Sequence, residues 1–89
     1  MNNSQCRAAR ALIGMTQPGL AKAASVGLST VVDFERERRA VSDAAVAAIR
    51  AALEAAGILF LAENGSGPGV RLRRAQAPET AKNNDDWLP

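Results

Sequence analysis

Residues 16–36 read TQPGLAKAASVGLSTVVDFER, and the architecture of the chain can be worked out from this stretch. Two short runs with apolar residues at helical spacing, Gln17–Ala24 and Leu28–Arg36, are separated by only three residues. Thr16 predicts an N-cap for the first run, because its hydroxyl can accept a hydrogen bond from the first helical turn. Pro18 falls in that turn, where a missing N–H costs little. The pattern therefore predicts two short helices joined by a tight turn.

Local signals on both sides of this segment predict two more helices. Ser4 is the expected N-cap of a first helix that runs to about Ile13, and Gly14 ends it. Ser42 is the expected cap of a fourth helix, for which Gly57 is the stop signal. The positions expected to point inward are Cys6, Ala9, Leu12, Ile13, Leu20, Ala21, Ala24, Val26, Val31, Phe34, Val46, Ile49 and Leu53.

The sequence changes character after the fourth helix. Ile58–Leu61 is a short apolar run, a turn-forming segment follows it, and residues 70–73 alternate apolar and basic side chains. This pattern predicts a β-hairpin over residues 58–74. Residues 75–89 have low hydrophobicity and no periodicity, and a disordered tail is expected there. The fold class predicted is all-α: a four-helix domain over residues 4–57 with a small C-terminal β-hairpin.

Composition limits the chemistry available to the chain. Its 89 residues suffice for one small domain. There is no histidine, and Cys6 is the only cysteine, so neither an internal disulfide nor a Cys/His zinc site is expected. No glycine-rich phosphate loop and no facing carboxylates are found, so an enzyme is not expected. No metal or cofactor is expected either.

Charge is distributed unevenly along the chain. Up to residue 74 there are ten Lys/Arg against six Asp/Glu, a net of +4, whereas residues 75–89 have one Lys against three acids, a net of −2. The folded part therefore suits a polyanionic partner. No signal peptide and no apolar run near the ~20 residues of a membrane span are found, so a cytoplasmic protein is expected.

The ordered combination of AARALIGMTQ at 8–17, LAKAA at 20–24 and STVVDFER at 29–36 resembles the phage-repressor-like helix-turn-helix regulators of the Xre and Cro type. The resemblance covers about residues 5–53. It implies a small bacterial or phage transcription regulator, a repressor, that binds double-stranded DNA as a homodimer on two half-sites. The alternative is an antitoxin or adaptor whose main partner is another protein, which the apolar hairpin and Trp87 favour.

The resemblance also implies which side chains contact DNA. These are Thr16, Gln17, Gly27, Leu28, Ser29, Thr30, Asp33, Arg36, Arg38 and Arg39. Gln17 is expected at a phosphate, and the three arginines along the DNA backbone. Leu28 would pack on thymine methyls and Ser29 would bond to base edges. Asp33 either accepts from a cytosine amine or pairs with a nearby arginine, and Val32 faces either the groove or a neighbouring subunit.

Two structural features of the family bear on this sequence. Family members pair an Arg of the first helix with a Glu at the end of the third, and Arg10 and Glu35 match those positions. Family members usually carry Gly in the interhelical turn and again after the third helix, where this chain has Ser25 and Glu37. A left-handed backbone at either residue would cost roughly 1 kcal/mol.

The hairpin is expected to mediate dimerisation, because both faces of its first strand are apolar and a lone hairpin can bury only one. The residues expected at the dimer interface are Ile58, Leu59, Phe60 and Leu61. The alternative is a wing whose basic residues, Arg71, Arg73 and Arg74, reach DNA. As the alternative to a disordered end, Trp87 and Leu88 would be a docking motif for a protein partner through the tail.

Overall fold

The computed structural model describes residues 1–62, 65 and 67–73. Within these residues there are four α-helices followed by two strands: α1 (Asn3–Ile13), α2 (Gln17–Ala24), α3 (Leu28–Arg36), α4 (Asp43–Ala55), β1 (Ile58–Leu61) and β2 (Gly69–Leu72). The predicted mostly helical chain with a small antiparallel sheet is confirmed, and the predicted bounds of α2 and α3 are met. The expected disordered tail, Arg74 and Trp87 lie outside the described residues. None of the described helices has the length and apolar content needed to cross a membrane.

The helix N-termini are set by side-chain caps. Thr16 and Ser42 cap α2 and α4 as predicted, each accepting from a backbone N–H three residues on. The prediction of Ser4 as the cap of α1 is wrong, because Asn2 takes that place. The Asn2 Oδ1 accepts from the Gln5 N–H at 2.7 Å, and the Gln5 Oε1 accepts from the Asn2 N–H at 2.8 Å. This reciprocal pair satisfies two otherwise free donors and starts the helix one residue before Ser4.

Three helices end in a left-handed residue. Gly14 ends α1 with φ 67°, as the sequence predicts. Ser25 ends α2 with φ 58°, and Glu37 ends α3 with φ 56°. In the part of the chain that the structure describes, Ser25 and Glu37 are the non-glycine residues with a positive φ. A side chain with a Cβ is disfavoured there, so both helix ends carry a local cost.

The core lies where α1, α2, α3 and α4 meet β1. Its buried apolar members are Cys6, Ala9, Leu20, Ala21, Ala24, Val31, Ile49, Leu53 and Ile58. Ile13, Val26 and Phe34 are half-buried and pack against this cluster. The expectation that Leu12 points inward is wrong, since its side chain is 45% exposed. Leu12 lies at the edge of the helical face centred on Cys6, Ala9 and Ile13, so its side chain stays outside the core.

The hairpin packs on the helices with one face. Ile58 pairs with Leu72 and Phe60 with Val70, and paired residues in an antiparallel ladder share a face. Ile58 is 1% exposed and belongs to the core of its own chain. Its predicted place at the dimer interface does not fit this burial, because the side chain lies within the core cluster of its own chain. Phe60 is half-buried against the same core.

Gln5 connects α1 to the loop end of the hairpin, where Leu61 pairs with Gly69. Its Nε2 donates to the Leu61 carbonyl at 3.2 Å and to the Gly69 carbonyl at 2.9 Å, across the last pair of the ladder. Because Gln5 is buried, these two bonds satisfy carbonyls that face the helix rather than water. The hairpin is therefore tied to the first turn of α1 as well as to α4.

Candidate nucleic-acid interface

The connection between α2 and α3 is three residues long and hydrogen-bonded throughout. The Ser25 N–H donates to the Lys22 carbonyl at 3.2 Å, and the Val26 N–H donates to the Ala21 carbonyl at 3.0 Å. Gly27 is the N-cap of α3, and no side chain caps that end of the helix. The turn therefore leads directly into α3 and leaves the N-terminal end of that helix uncovered by any capping side chain.

Two residues fix the rotation of α3 about its own axis. Val31 has no exposed surface and Glu35 is 1% exposed, and they lie four residues apart on the inner side of the helix. The side chains called here the outer face are Leu28, Ser29, Val32, Asp33 and Arg36, which are exposed or half-buried. Leu28 is 46% exposed, Ser29 and Arg36 are exposed, and Val32 and Asp33 are half-buried. Of the neighbouring predicted contact residues, Gly27 is exposed and Thr30 is half-buried.

Three arginines follow or end α3, and all of them are exposed. The Arg39 Nε donates to the Asp33 Oδ2 at 2.7 Å, and its Nη1 donates to the Ala40 carbonyl at 3.3 Å. Of the two interpretations of Asp33, the structure thus contains the arginine pair. Arg36 and Arg38 form no ion pair within the described part of the chain, so their guanidinium groups face solvent.

A buried polar network lies directly beneath α3. The Glu35 carboxylate accepts from the Arg10 Nε at 2.7 Å and from the Arg10 Nη2 at 2.8 Å. It also accepts from the Gln17 Nε2 at 2.9 Å and from the Cys6 Sγ at 3.1 Å. The expected Arg10–Glu35 pair is therefore present in bidentate form and joins α1 to α3, and Gln17 adds α2 to the network.

The network changes how two predicted residues behave. Gln17 was expected at a phosphate, yet its amide N–H group is directed at Glu35 instead of solvent. Cys6 was expected to be a plain buried hydrophobe, but its thiol is also a hydrogen-bond donor to the carboxylate. Gln17 still lines an open cleft at the start of α2, whose walls include Thr16, Arg7 and Arg36.

The ionisation of the network follows from burial and hydrogen bonding. Burial raises the pKa of the Glu35 carboxyl, but hydrogen bonds from Arg10, Cys6 and Gln17 outweigh it and hold the pKa below its usual value. The hydrogen bond to Glu35 raises the pKa of the Arg10 guanidinium. Burial, with the hydrogen bond to Glu35, raises the pKa of the Cys6 thiol far above its ordinary range. The thiol is thus protonated and the carboxylate is charged.

Sequence reasoning missed the residues that hold the C-terminal end of α3. The Glu35 backbone carbonyl accepts from the Arg7 guanidinium and from the Asn3 Nδ2, both on the first turns of α1. Neither contact has a local sequence signal, because the partners are about 30 residues apart in the chain. The Asn2–Gln5 capping pair, by contrast, has a recognisable N-x-x-Q spacing.

The basic residues of the hairpin divide into two groups. The Arg73 Nη2 donates to the Glu54 carbonyl at 2.7 Å, so it serves the C-terminal end of α4. Arg71 is exposed, and it makes no ion pair with any described residue. Arg74, the third member of the alternative wing, lies outside the described residues. Arg71 alone among the described pair is therefore free to contact a ligand.

Within residues 1–62 and 67–73, no group of three His, Cys, Asp or Glu side chains converges as a metal site would require. No protein-family model matches the sequence, and no curated protein matches it.

Proposed function

We propose that this chain is a sequence-specific double-stranded DNA-binding protein, a small cytoplasmic transcription repressor of bacterial or phage type. Its four helices would form a helix-turn-helix domain of the phage-repressor-like kind, with α3 as the recognition helix in the major groove. The observation that carries the proposal is the outer face of α3. This face is uncovered on a helix whose rotation is fixed from beneath by Val31 and Glu35.

The dimensions of α3 suit this role. Nine residues at 1.5 Å each give a helix of about 14 Å. The major groove of B-DNA is about 12 Å wide and accepts one helix, which reads base edges with its N-terminal residues. Leu28 and Ser29 lie at that end of α3, where no capping side chain stands in the way.

The two left-handed helix ends support the family resemblance. The chain has positive φ at Ser25 and Glu37, the two positions where helix-turn-helix proteins of this kind usually carry glycine. The same backbone geometry is thus adopted despite the loss of the glycine that favours it. The Arg10–Glu35 pair, also expected from the resemblance, joins α1 to the last turn of α3.

The exposed cations supply the expected attraction to phosphate. Arg36 and Arg38 are exposed and unpaired among the described residues, and they follow the outer face of α3 directly. Arg7 lies at the open cleft where α2 begins, and a helix N-terminus attracts anions there. Such contacts bind every DNA sequence alike and position the recognition helix without reading bases.

A homodimer is part of the proposal, because one domain reads only a half-site. Ile58 is excluded from the interface, which leaves Leu59 and Leu61 on the outer side of β1. Leu61 is 39% exposed on this outer side, so the hairpin offers a leucine side chain to a second copy. Phe60 lies on the inner face and would add to such an interface only at its edge.

The proposal is tested by selecting bound sequences from random duplexes, followed by titration at several salt concentrations. A palindromic selected sequence is expected. Ser29→Ala should relax the preference at one base pair per half-site, by roughly 1 kcal/mol, and leave non-specific affinity nearly intact. Arg38→Ala should weaken binding to all sequences and reduce the salt slope by about 0.9.

The matched control is Arg50→Ala, which removes an exposed cation of α4 that pairs with Glu54. This variant should keep both the affinity and the salt slope. Absence of salt-dependent binding to any duplex would refute the proposal.

The second candidate function is an antitoxin or adaptor whose main partner is another protein. The exposed leucines of the hairpin favour it, since a protein partner would cover them equally well. DNA binding distinguishes the two candidate functions. An adaptor of this class would show only weak, sequence-independent binding, and Leu61→Glu would abolish capture of the partner without changing that binding.

A further inference from the structure

Residues 28–33, the first six of α3, lack the side chains that most often read purines. Bidentate bonds from Arg or Lys to guanine, and from Asn or Gln to adenine, are the usual specific contacts in the major groove. The exposed or half-buried side chains at the start of α3 are instead Leu28, Ser29, Thr30, Val32 and Asp33. Arg36 follows only at the last residue of the helix, about 12 Å further along its axis from Leu28.

Two apolar side chains dominate this face. Leu28 and Val32 are four residues apart, so they lie side by side along the helix. Leu28 is 46% exposed and Val32 is half-buried, and Ser29 flanks them. The 5-methyl group of thymine is the apolar group that a base pair presents in the major groove. An apolar pair at the reading end of α3 therefore complements thymine and has no bidentate bond to offer a purine.

Asp33 strengthens this preference. Its Oδ2 accepts from the Arg39 Nε, so its charge is balanced where phosphates pass nearby. A carboxylate is an acceptor, and guanine presents two acceptors, N7 and O6, in the major groove. Guanine opposite Asp33 would place acceptors against acceptors. Asp33 therefore disfavours guanine on the strand that it faces.

This inference rests on the proposed function and concerns how the protein selects its DNA sequence. We infer that Leu28 and Val32 read thymine through its 5-methyl group, and that the half-site is recognised by methyl contact in place of bidentate purine bonds. Ser29 and Asp33 add single hydrogen bonds beside this apolar pair. The recognised half-site is thus expected to contain thymine at one or two base pairs facing α3.

The test uses the selected operator with single thymines replaced by deoxyuridine, which removes the methyl group and keeps every hydrogen bond. Affinity should fall about fourfold at one or two thymines per half-site, the effect of one buried methyl group. In Leu28→Ala or Val32→Ala, the thymine-to-deoxyuridine ratio at the corresponding base pair should fall to about one. Replacing guanines by 7-deazaguanine, which lacks the N7 acceptor, should leave affinity unchanged.

The matched control is Leu12→Ala, since Leu12 is as exposed as Leu28 but lies on α1. This variant should keep the fourfold methyl effect. Specific binding that is insensitive to every deoxyuridine would overturn the inference and leave the proposed function standing. A methyl effect that persists in both valine and leucine variants would also overturn it. Absence of salt-dependent DNA binding would instead remove the proposed function itself.

Discussion

Replacing Arg10 by Met should destabilise the chain by stranding the Glu35 carboxylate. Glu35 is 1% exposed, and two of its four side-chain hydrogen bonds come from Arg10, at 2.7 and 2.8 Å. Methionine keeps much of the volume but removes the charge and both bonds. Breaking a buried pair by removing one partner costs about 3 kcal/mol, because the remaining charge stays buried without compensation. For a domain of this size, that corresponds to a fall in Tm of about 15 °C.

The pH dependence gives a sharper test. In the wild type the pKa of Glu35 is lowered, so its contribution to stability is present above the unfolded pKa of about 4.3 and lost as pH falls through the folded pKa. In Arg10→Met, burial acts without the guanidinium and raises the folded pKa of Glu35 above the unfolded one. Protonation of Glu35 then removes the uncompensated buried charge from the variant. The difference between the free energies of unfolding of wild type and variant should therefore shrink as the pH falls from about 7.5 to about 5.

Urea unfolding at both pH values measures the deficit. Glu35→Gln in the Arg10→Met background should recover at least half of the lost free energy, since it removes the buried charge and its amide oxygen can still accept from either Cys6 or Gln17. The matched control is Arg50→Met, which breaks the exposed pair with Glu54 and should cost no more than about 1 kcal/mol. An Arg10→Met deficit that is equal at both pH values and unaffected by Glu35→Gln would refute the reasoning.

Three further predictions concern the helix ends, the hairpin and the tail. Ser25→Gly and Glu37→Gly should each stabilise the chain by about 0.5–1 kcal/mol, because glycine relieves a positive φ; Ala23→Gly within α2 should instead cost about 1 kcal/mol, and stabilisation by all three would contradict the backbone explanation. Leu61→Glu should shift a dimer toward monomer in analytical ultracentrifugation at micromolar concentration, and a wild-type monomer under those conditions would exclude the hairpin interface. Removing residues 75–89, which carry a net charge of −2, should leave DNA affinity unchanged or higher in a binding titration, and a large loss would show that the tail takes part.

Local signals accounted for most of the secondary structure. The caps Thr16 and Ser42, and the glycine Gly14, act within one turn of helix, so the residues nearby suffice to predict them. The inward positions of α2 and α4 follow from helical periodicity in the same way. Local reasoning failed at Ser4, because the reciprocal bonds of Asn2 and Gln5 place the cap two residues earlier.

The sequence by itself thus determined the helices, the hairpin and the residues presented on α3, because these depend on spacing and on near neighbours. The tertiary structure alone decided that Gln17 and Cys6 would converge on Glu35, and that Ile58 would be buried instead of offered to a partner. These outcomes depend on groups that are distant in sequence and meet only when the helices pack. A buried carboxylate is stabilised by each hydrogen-bond donor that can reach it, because desolvation makes an unsatisfied charge far more costly in the core than in water.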